Sequence, residues 1–285
     1  MLPLFDCEFG VGLTDFGYPV TRTPAEAFAV MDRFGIGSAF VYDRHAHEAG
    51  VFDRFDFILD FCREAPPGDA RPSSVGTHTG RLYATIPVVP PATGEQPPPA
   101  ELVEWCLANG IRAVRACPNA HNFICDSFSM GKLLEVLEKH RMPLIHTSMR
   151  VQDHPWLHEP AWRDLHDVAL AFPRLPIIVL YTGMLQGRRL FPLLERCPNV
   201  LADLTCDSFQ FVEDVVERFG SGKLVYASHF PTEDPGLYRM PISHGGISEQ
   251  ARNDIAAGNV MRMLKDSEGE SHEDTKIRRT RRRGR

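Results

Sequence analysis

Eight short apolar runs, each followed by a stretch with helical patterning, fill residues 1 to 264. Alternation of this kind predicts a parallel sheet covered by helices. The runs around residues 143–147, 177–181 and 224–228 are almost continuously apolar, as strands buried on both faces must be. Strands are expected at Leu2–Phe9, Ser38–Tyr42, Leu82–Val89, Ile111–Ala116, Pro143–Thr147, Ile177–Tyr181, Val200–Thr205 and Leu224–Ser228. Helices are expected at Pro24–Phe34, Phe52–Arg63, Ala100–Asn109, Phe128–His140, Pro160–Phe172, Arg189–Arg196, Phe209–Phe219 and Ser248–Leu264. Thr23 and Pro24 are start signals for the first helix, and Gly110 is a stop for the third. Eight βα units favour a single α/β domain, a (β/α)8 TIM-type barrel over residues 1–264. A barrel of this type takes about 250 residues. The alternative, a doubly wound sheet, would carry a glycine-rich phosphate turn after its first strand. Here that strand runs into Glu8-Phe9-Gly10-Val11-Gly12, which lacks the full spacing.

Composition narrows the setting. No run of about 18 apolar residues is present, so no membrane span is expected. The start, Met1-Leu2-Pro3-Leu4-Phe5-Asp6, has no basic segment and goes straight into strand-like sequence, so no secretory leader is expected. Seven cysteines without a Cys-x-x-Cys pair fit reduced thiols in a cytoplasmic protein rather than a disulfide framework. Residues 265–285 are acidic and then basic, ending Lys276-Ile277-Arg278-Arg279-Thr280-Arg281-Arg282-Arg283-Gly284-Arg285. A segment with so little to bury is expected to be disordered. The basic tail could touch nucleic acid, but a net charge of −6 speaks against nucleic acid as the main partner.

In a barrel of this kind the reactive groups stand at the C-terminal strand ends. That rule selects Asp6, Glu8 and Gly10 on strand one, expected to alternate onto one face, and Tyr42, Arg44, His45 and His47 after strand two. It also selects Arg115 and Cys117, His146, Tyr181 and Thr182, Asp203, Thr205 and Asp207, and finally Ser228 and His229.

Several of these segments resemble the amidohydrolase superfamily, in its amidohydrolase-related branch of hydrolases and decarboxylases. The carriers are Phe5-Asp6-Cys7-Glu8-Phe9-Gly10, Ile111-Arg112-Ala113-Val114-Arg115-Ala116-Cys117-Pro118, Met142-Pro143-Leu144-Ile145-His146, and the stretches 198–205, 219–231 and 247–264. The resemblance implies a small-molecule substrate handled at the C-terminal face, and barrels of this branch often self-associate. It also brings departures. Where the family's first strand carries two histidine metal ligands, this chain has Glu8 and Gly10. The strand-five histidine is kept as His146. The strand-six histidine position holds Tyr181, and the strand-eight aspartate position holds His229.

Two readings of the cofactor follow. Glu8, His146 and His229 could form a rearranged set for one zinc-like divalent ion, with a position open for water. Alternatively the metal is lost and the enzyme, if it is one, works without it, on substrates such as carboxylated lactones. In that reading His229, His146 and Glu8 are the catalytic candidates, with Arg115, Tyr181 and Asp6 binding substrate. His229 would activate water, Arg115 would grip a carboxylate, and Tyr181 or His146 would donate to the oxyanion. The bland alternative for Arg115 is an ion pair with Asp6 or Glu8. His45 and His47 are expected to be solvated, Cys117 and Cys206 to be packing residues, and Arg150–Glu159, with His154, Trp156 and His158, to form a lid. The leading function is hydrolysis of a small carboxylated C–O or C–N substrate. A decarboxylase or lyase would use the same site, and a barrel that has lost catalysis and binds a ligand or partner is the third reading.

Overall fold

The computed structural model describes residues 3–13, 21–49, 55–64, 80–147, 161–182, 187–204 and 208–267. The expected tail lies outside them from residue 268 on, as does the expected lid at Arg150–Glu159.

Seven parallel strands follow one another in chain order: β1 (Leu4–Val11), β2 (Ile36–Asp43), β3 (Leu82–Val88), β4 (Ala113–Ala116), β5 (Leu144–Thr147), β6 (Ile177–Leu180) and β7 (Val200–Ala202). Where an eighth strand is expected, residues 224–230 make single bridges only. Leu224 pairs with Ala202 of β7 and Phe230 with Phe9 of β1. Val225 N–H donates to the Ala202 carbonyl at 2.9 Å, and Cys7 N–H to the Tyr226 carbonyl at 3.0 Å. One extended segment thus touches both outer strands of the sheet.

Helices connect the strands: α1 (Pro24–Phe34), α2 (Arg44–Ala49), α3 (Phe55–Arg63), α4 (Pro99–Ala108), α5 (Ser127–Lys139), α6 (Trp162–Ala171), α7 (Gly187–Arg196), α8 (Phe209–Phe219), α9 (Pro235–His244) and α10 (Glu249–Asn253). Local chemistry sets several of their ends. Thr23 caps α1 in a reciprocal box with Glu26, and Gly35 closes it in the left-handed region at φ 71°. Asp126, Ser208 and Ser248 cap α5, α8 and α10. Helix α10 runs on through a π-helical turn, Asp254–Gly258, whose aspartate accepts from the Ser221 hydroxyl at 2.8 Å and from Arg262 at 2.9 Å. None of the helices described is long and apolar enough to cross a membrane.

The apolar residues divide by strand face. Leu4, Val41, Val114, Leu144, Val179 and Val200 belong to the large cluster between sheet and helices. Phe5, Phe40, Ala113, Ile145, Ile178 and Val225 form a second, inner cluster, which Val260, Met263 and Leu264 join from the end of the chain's last helical stretch. Along each strand the inner apolar residue comes first and the polar one two or three places later: Phe5 then Glu8, Phe40 then Tyr42, Ala113 then Arg115, Leu201 then Asp203, Ala227 then His229. Glu8, Tyr42, Arg115, Asp203 and His229 thereby stand toward the C-terminal strand ends.

Strand β1 departs from the alternation expected of Asp6, Glu8 and Gly10. Its register with β2 slips between Asp6 and Phe9, and Cys7 packs in the inner cluster. A bulge of this kind puts an extra residue in one strand and redirects the side chains after it.

Candidate functional site

The end of β7 and the segment after α8 bring Asp203 and His229 together, both fully buried. His229 Nε2 lies 2.8 Å from Asp203 Oδ2. The same carboxylate accepts the Tyr181 N–H at 2.9 Å and the Thr182 hydroxyl at 3.0 Å. The carboxylate can only accept, which assigns a His229 proton to Nε2 and leaves Nδ1 as the ring nitrogen able to act as a base. The imidazole lies between two phenols, with ring centroids 4.1 Å from Tyr181 and 5.1 Å from Tyr238 of α9. Tyr181 and His229 both sit in the left-handed region, at φ 57° and 56°. Outside glycine that conformation costs roughly 1–2 kcal/mol per residue, and such strain clusters at sites where side chains must be aimed. Burial holds the Tyr181 phenol well above its ordinary value, so it is an O–H donor at neutral pH.

A second group is carried by β1, β2 and β4. Arg115 of β4 pairs through Nη2 with Glu8 Oε2 of β1, both side chains buried. Its guanidinium carbon lies 4.2 Å from the centre of the Tyr42 ring. Asp6 Oδ1 accepts the backbone N–H groups of Ser228 at 2.8 Å and Glu8 at 2.9 Å, tying β1 to the segment that ends in His229. Burial pushes the Asp6 carboxyl up to about 6 against the pull of those Ser228 bonds and of the His229 and Arg115 charges. Several buried polar atoms here have no hydrogen-bond partner among the described residues: Arg115 Nε and Nη1, Glu8 Oε1, Asp6 Oδ2 and Thr147 Oγ1. Each such atom left unpaired costs about 1–3 kcal/mol, and water, an ion or a ligand would meet that need.

His47 differs from its expectation. Instead of lying in a solvated loop, it is carried on the six-residue helix α2 and is buried, with Nδ1 3.2 Å from Cys117 Sγ. His121 Nε2 meets the His47 carbonyl at 2.9 Å. Burial pushes the Cys117 thiol up to about 12 and His47 well below its ordinary value, so thiol and imidazole are both neutral. An unionised thiol is a poor nucleophile. Arg44 pairs with Glu48 and donates to the Thr232 hydroxyl at 3.1 Å. Thr205, Cys206 and Asp207 fall outside the described residues.

His146 is set apart from the other candidates. In the sheet it aligns with Ala116 and Val179, which pack on the helix side, while its neighbour Ile145 packs in the inner cluster. By the two-residue period of a strand, His146 therefore faces the helices. Its Nδ1 has no hydrogen-bond partner among the described residues. Burial lowers it to about 4. A histidine in the unfolded chain titrates near 6.5. The folded form therefore resists protonation, and stability is complete above about pH 6.5 and falls as the pH drops toward 4, by about 3 kcal/mol in all. In His146→Leu this loss should vanish. Urea unfolding of both proteins at pH 7.5 and pH 4.5 checks it: a wild-type-minus-variant difference that does not move with pH would refute the burial argument.

For the rearranged set of Glu8, His146 and His229, the described contacts give other partners or another face. Glu8 is committed to Arg115, His229 to Asp203, and His146 faces away. Among the described residues no three His, Cys, Asp or Glu side chains are placed to hold a metal ion. The described residues do not fit a zinc-like ion, which needs at least three converging donors.

Comparison with known proteins gives a family and a fold. The family model described as amidohydrolase matches residues 74–265, more than half of the chain. No curated protein matches in sequence. Among solved structures, an uncharacterized TIM-barrel protein from Bordetella bronchiseptica superposes with a TM-score of 0.68 at 14% identity, covering 93% of this chain and 99% of that one. A 2,6-dihydroxybenzoate decarboxylase from Rhizobium gives 0.64 at 15% identity, with 93% and 99% covered. A putative 2-pyrone-4,6-dicarboxylic acid hydrolase from Pseudomonas putida gives 0.61 at 12% identity, with 93% and 98% covered. At such identities the likeness is one of fold.

Proposed function

This chain belongs to the amidohydrolase family, and we propose that it hydrolyses a small carboxylated substrate, a lactone, ester or amide, at the C-terminal strand ends. The observation that carries the reading is the buried Asp203–His229 pair, 2.8 Å apart. The architecture is read as a closed (β/α)8 barrel over residues 1–264, with residues 224–230 as its eighth stave.

In this mechanism His229 takes a proton from water, and the resulting hydroxide attacks the carbonyl carbon. Asp203 keeps the proton on Nε2 and stabilises the imidazolium that forms. The Tyr181 phenol, which stays protonated, donates to the developing oxyanion. Collapse of the tetrahedral intermediate breaks the C–O or C–N bond, and the imidazolium returns the proton to the leaving oxygen or nitrogen. Asp6 positions the segment that carries His229 through its bond to the Ser228 N–H. His146, on the helix side, is given a packing role.

A second reading is favoured by the likeness to 2,6-dihydroxybenzoate decarboxylase: His229 would protonate a ring carbon as carbon dioxide leaves. One experiment separates the two. The purified chain is incubated with a panel of carboxylated lactones, esters, amides and phenolic acids, while acid release and carbon dioxide are followed in parallel. Acid release without carbon dioxide supports hydrolysis, and carbon dioxide alone replaces it with the second reading. No turnover of any member overturns both.

A further inference from the structure

We propose that Arg115, clamped by Glu8 against the face of Tyr42, is the fixed cation of this site and grips the carboxylate of its ligand, so that the chain needs no divalent metal. The inference deepens the functional reading above and rests on its placement of the site. Three observations carry it.

First, a charge already occupies the wall where metal donors would have to converge. The Arg115–Glu8 pair is buried on both sides, and it engages the Glu8 carboxylate of strand one. A cation entering beside Glu8 would meet the guanidinium.

Second, the guanidinium is only partly used. Glu8 takes Nη2 and the Cys117 thiol lies beside the guanidinium, whereas Nε and Nη1 are buried with no hydrogen-bond partner among the described residues. Arginine has five donors in a rigid fork that matches a carboxylate. Thr147 Oγ1, on a residue aligned with the inner-facing Leu180, is a further buried hydroxyl with no hydrogen-bond partner among the described residues.

Third, the clamp fixes the donor before any ligand arrives. The aromatic face of Tyr42 and the carboxylate of Glu8 hold the guanidinium plane from two directions, so little side-chain freedom is lost on binding.

The test uses the full chain and two readouts independent of turnover. Elemental analysis after growth with added zinc and manganese should find fewer than ~0.1 metal per chain, where a structural or catalytic site would hold one. Chelator should leave the melting temperature unchanged. Calorimetric titration with benzoate should show binding to the wild type. The folded double variant Glu8→Gln/Arg115→Met should bind at least about 10- to 100-fold more weakly. Arg115→Lys keeps the charge but loses the fork, so it should also lose affinity, about 10-fold, and it carries the test if the double variant does not fold. A stoichiometric metal whose removal lowers the melting temperature overturns the proposal. So does a wild type that does not bind benzoate, or variants that bind it as the wild type does. Failure of hydrolysis with intact Arg115-dependent benzoate binding would overturn only the functional reading.

Discussion

Replacing Arg115 alone by methionine should destabilise the protein by about 3–5 kcal/mol, the usual cost of breaking a buried ion pair from one side. The cause is what remains. Glu8 would be left without its partner in a fully buried position, where a carboxylate must either carry an uncompensated charge or take up a proton, and both are worse than an apolar contact of the same volume. In a domain of this size each kcal/mol moves the melting temperature by roughly 2–4 °C, so the single variant should melt about 6–20 °C lower. The double variant Glu8→Gln/Arg115→Met removes both charges together. It should recover most of the loss, because burying two charges is itself expensive and a neutral pair avoids that cost. A double-mutant cycle by thermal or urea unfolding measures the coupling. If the single variant melts within 2–3 °C of the wild type on this scale, Glu8 and Arg115 do not depend on each other and the clamp does not exist.

That clamp illustrates what can and cannot be read from a chain of letters. Helix α1 is legible to the residue, because Thr23, Pro24, Glu26 and Gly35 are local signals at its two ends. The strands are legible from their apolar runs, and the rule of reactive strand ends picks out Asp6, Glu8, Arg115, Tyr181, Asp203 and His229. Which of these meet is another matter. Glu8 and Arg115 are 107 residues apart, and only the curled sheet makes them neighbours. The bulge in β1 leaves no trace in Phe5-Asp6-Cys7-Glu8, yet it breaks the expected alternation. His146 sits in the apolar run Leu144-Ile145-His146-Thr147, which says that the strand is buried but not which residues face inward. Helix α2 has six residues, too few to show a helical period, so the burial of His47 had no local signal. Helix α9 is hidden by Pro241 in its interior, although Asp234 and Pro235 mark its start. Its Tyr238 then becomes one of the two rings around His229.

His229→Asn should lower turnover of any substrate the panel reveals by about 10²- to 10⁴-fold, the range for losing a general base or acid. Asparagine is polar and fits the volume, but it cannot exchange a proton near neutrality. The sharper expectation concerns Asp203. Its carboxylate contacts His229 Nε2 and also holds the turn after β6 through the Tyr181 N–H and the Thr182 hydroxyl. Asp203→Asn keeps an acceptor for that turn, so the fold should survive. The amide can no longer stabilise an imidazolium, and turnover should fall by about 10²-fold or more. If the two residues act as one acid–base unit, their losses will not multiply. The double variant His229→Asn/Asp203→Asn should then be no slower than His229→Asn alone, since groups that share one step are non-additive. Multiplying losses would mean that Asp203 and His229 do separate work, and the shared-proton mechanism would have to be abandoned. Melting temperatures of all three variants keep the comparison to proteins that are folded. With folding controlled, the kinetic cycle distinguishes a catalytic pair from a buried hydrogen bond that only shapes the strand ends.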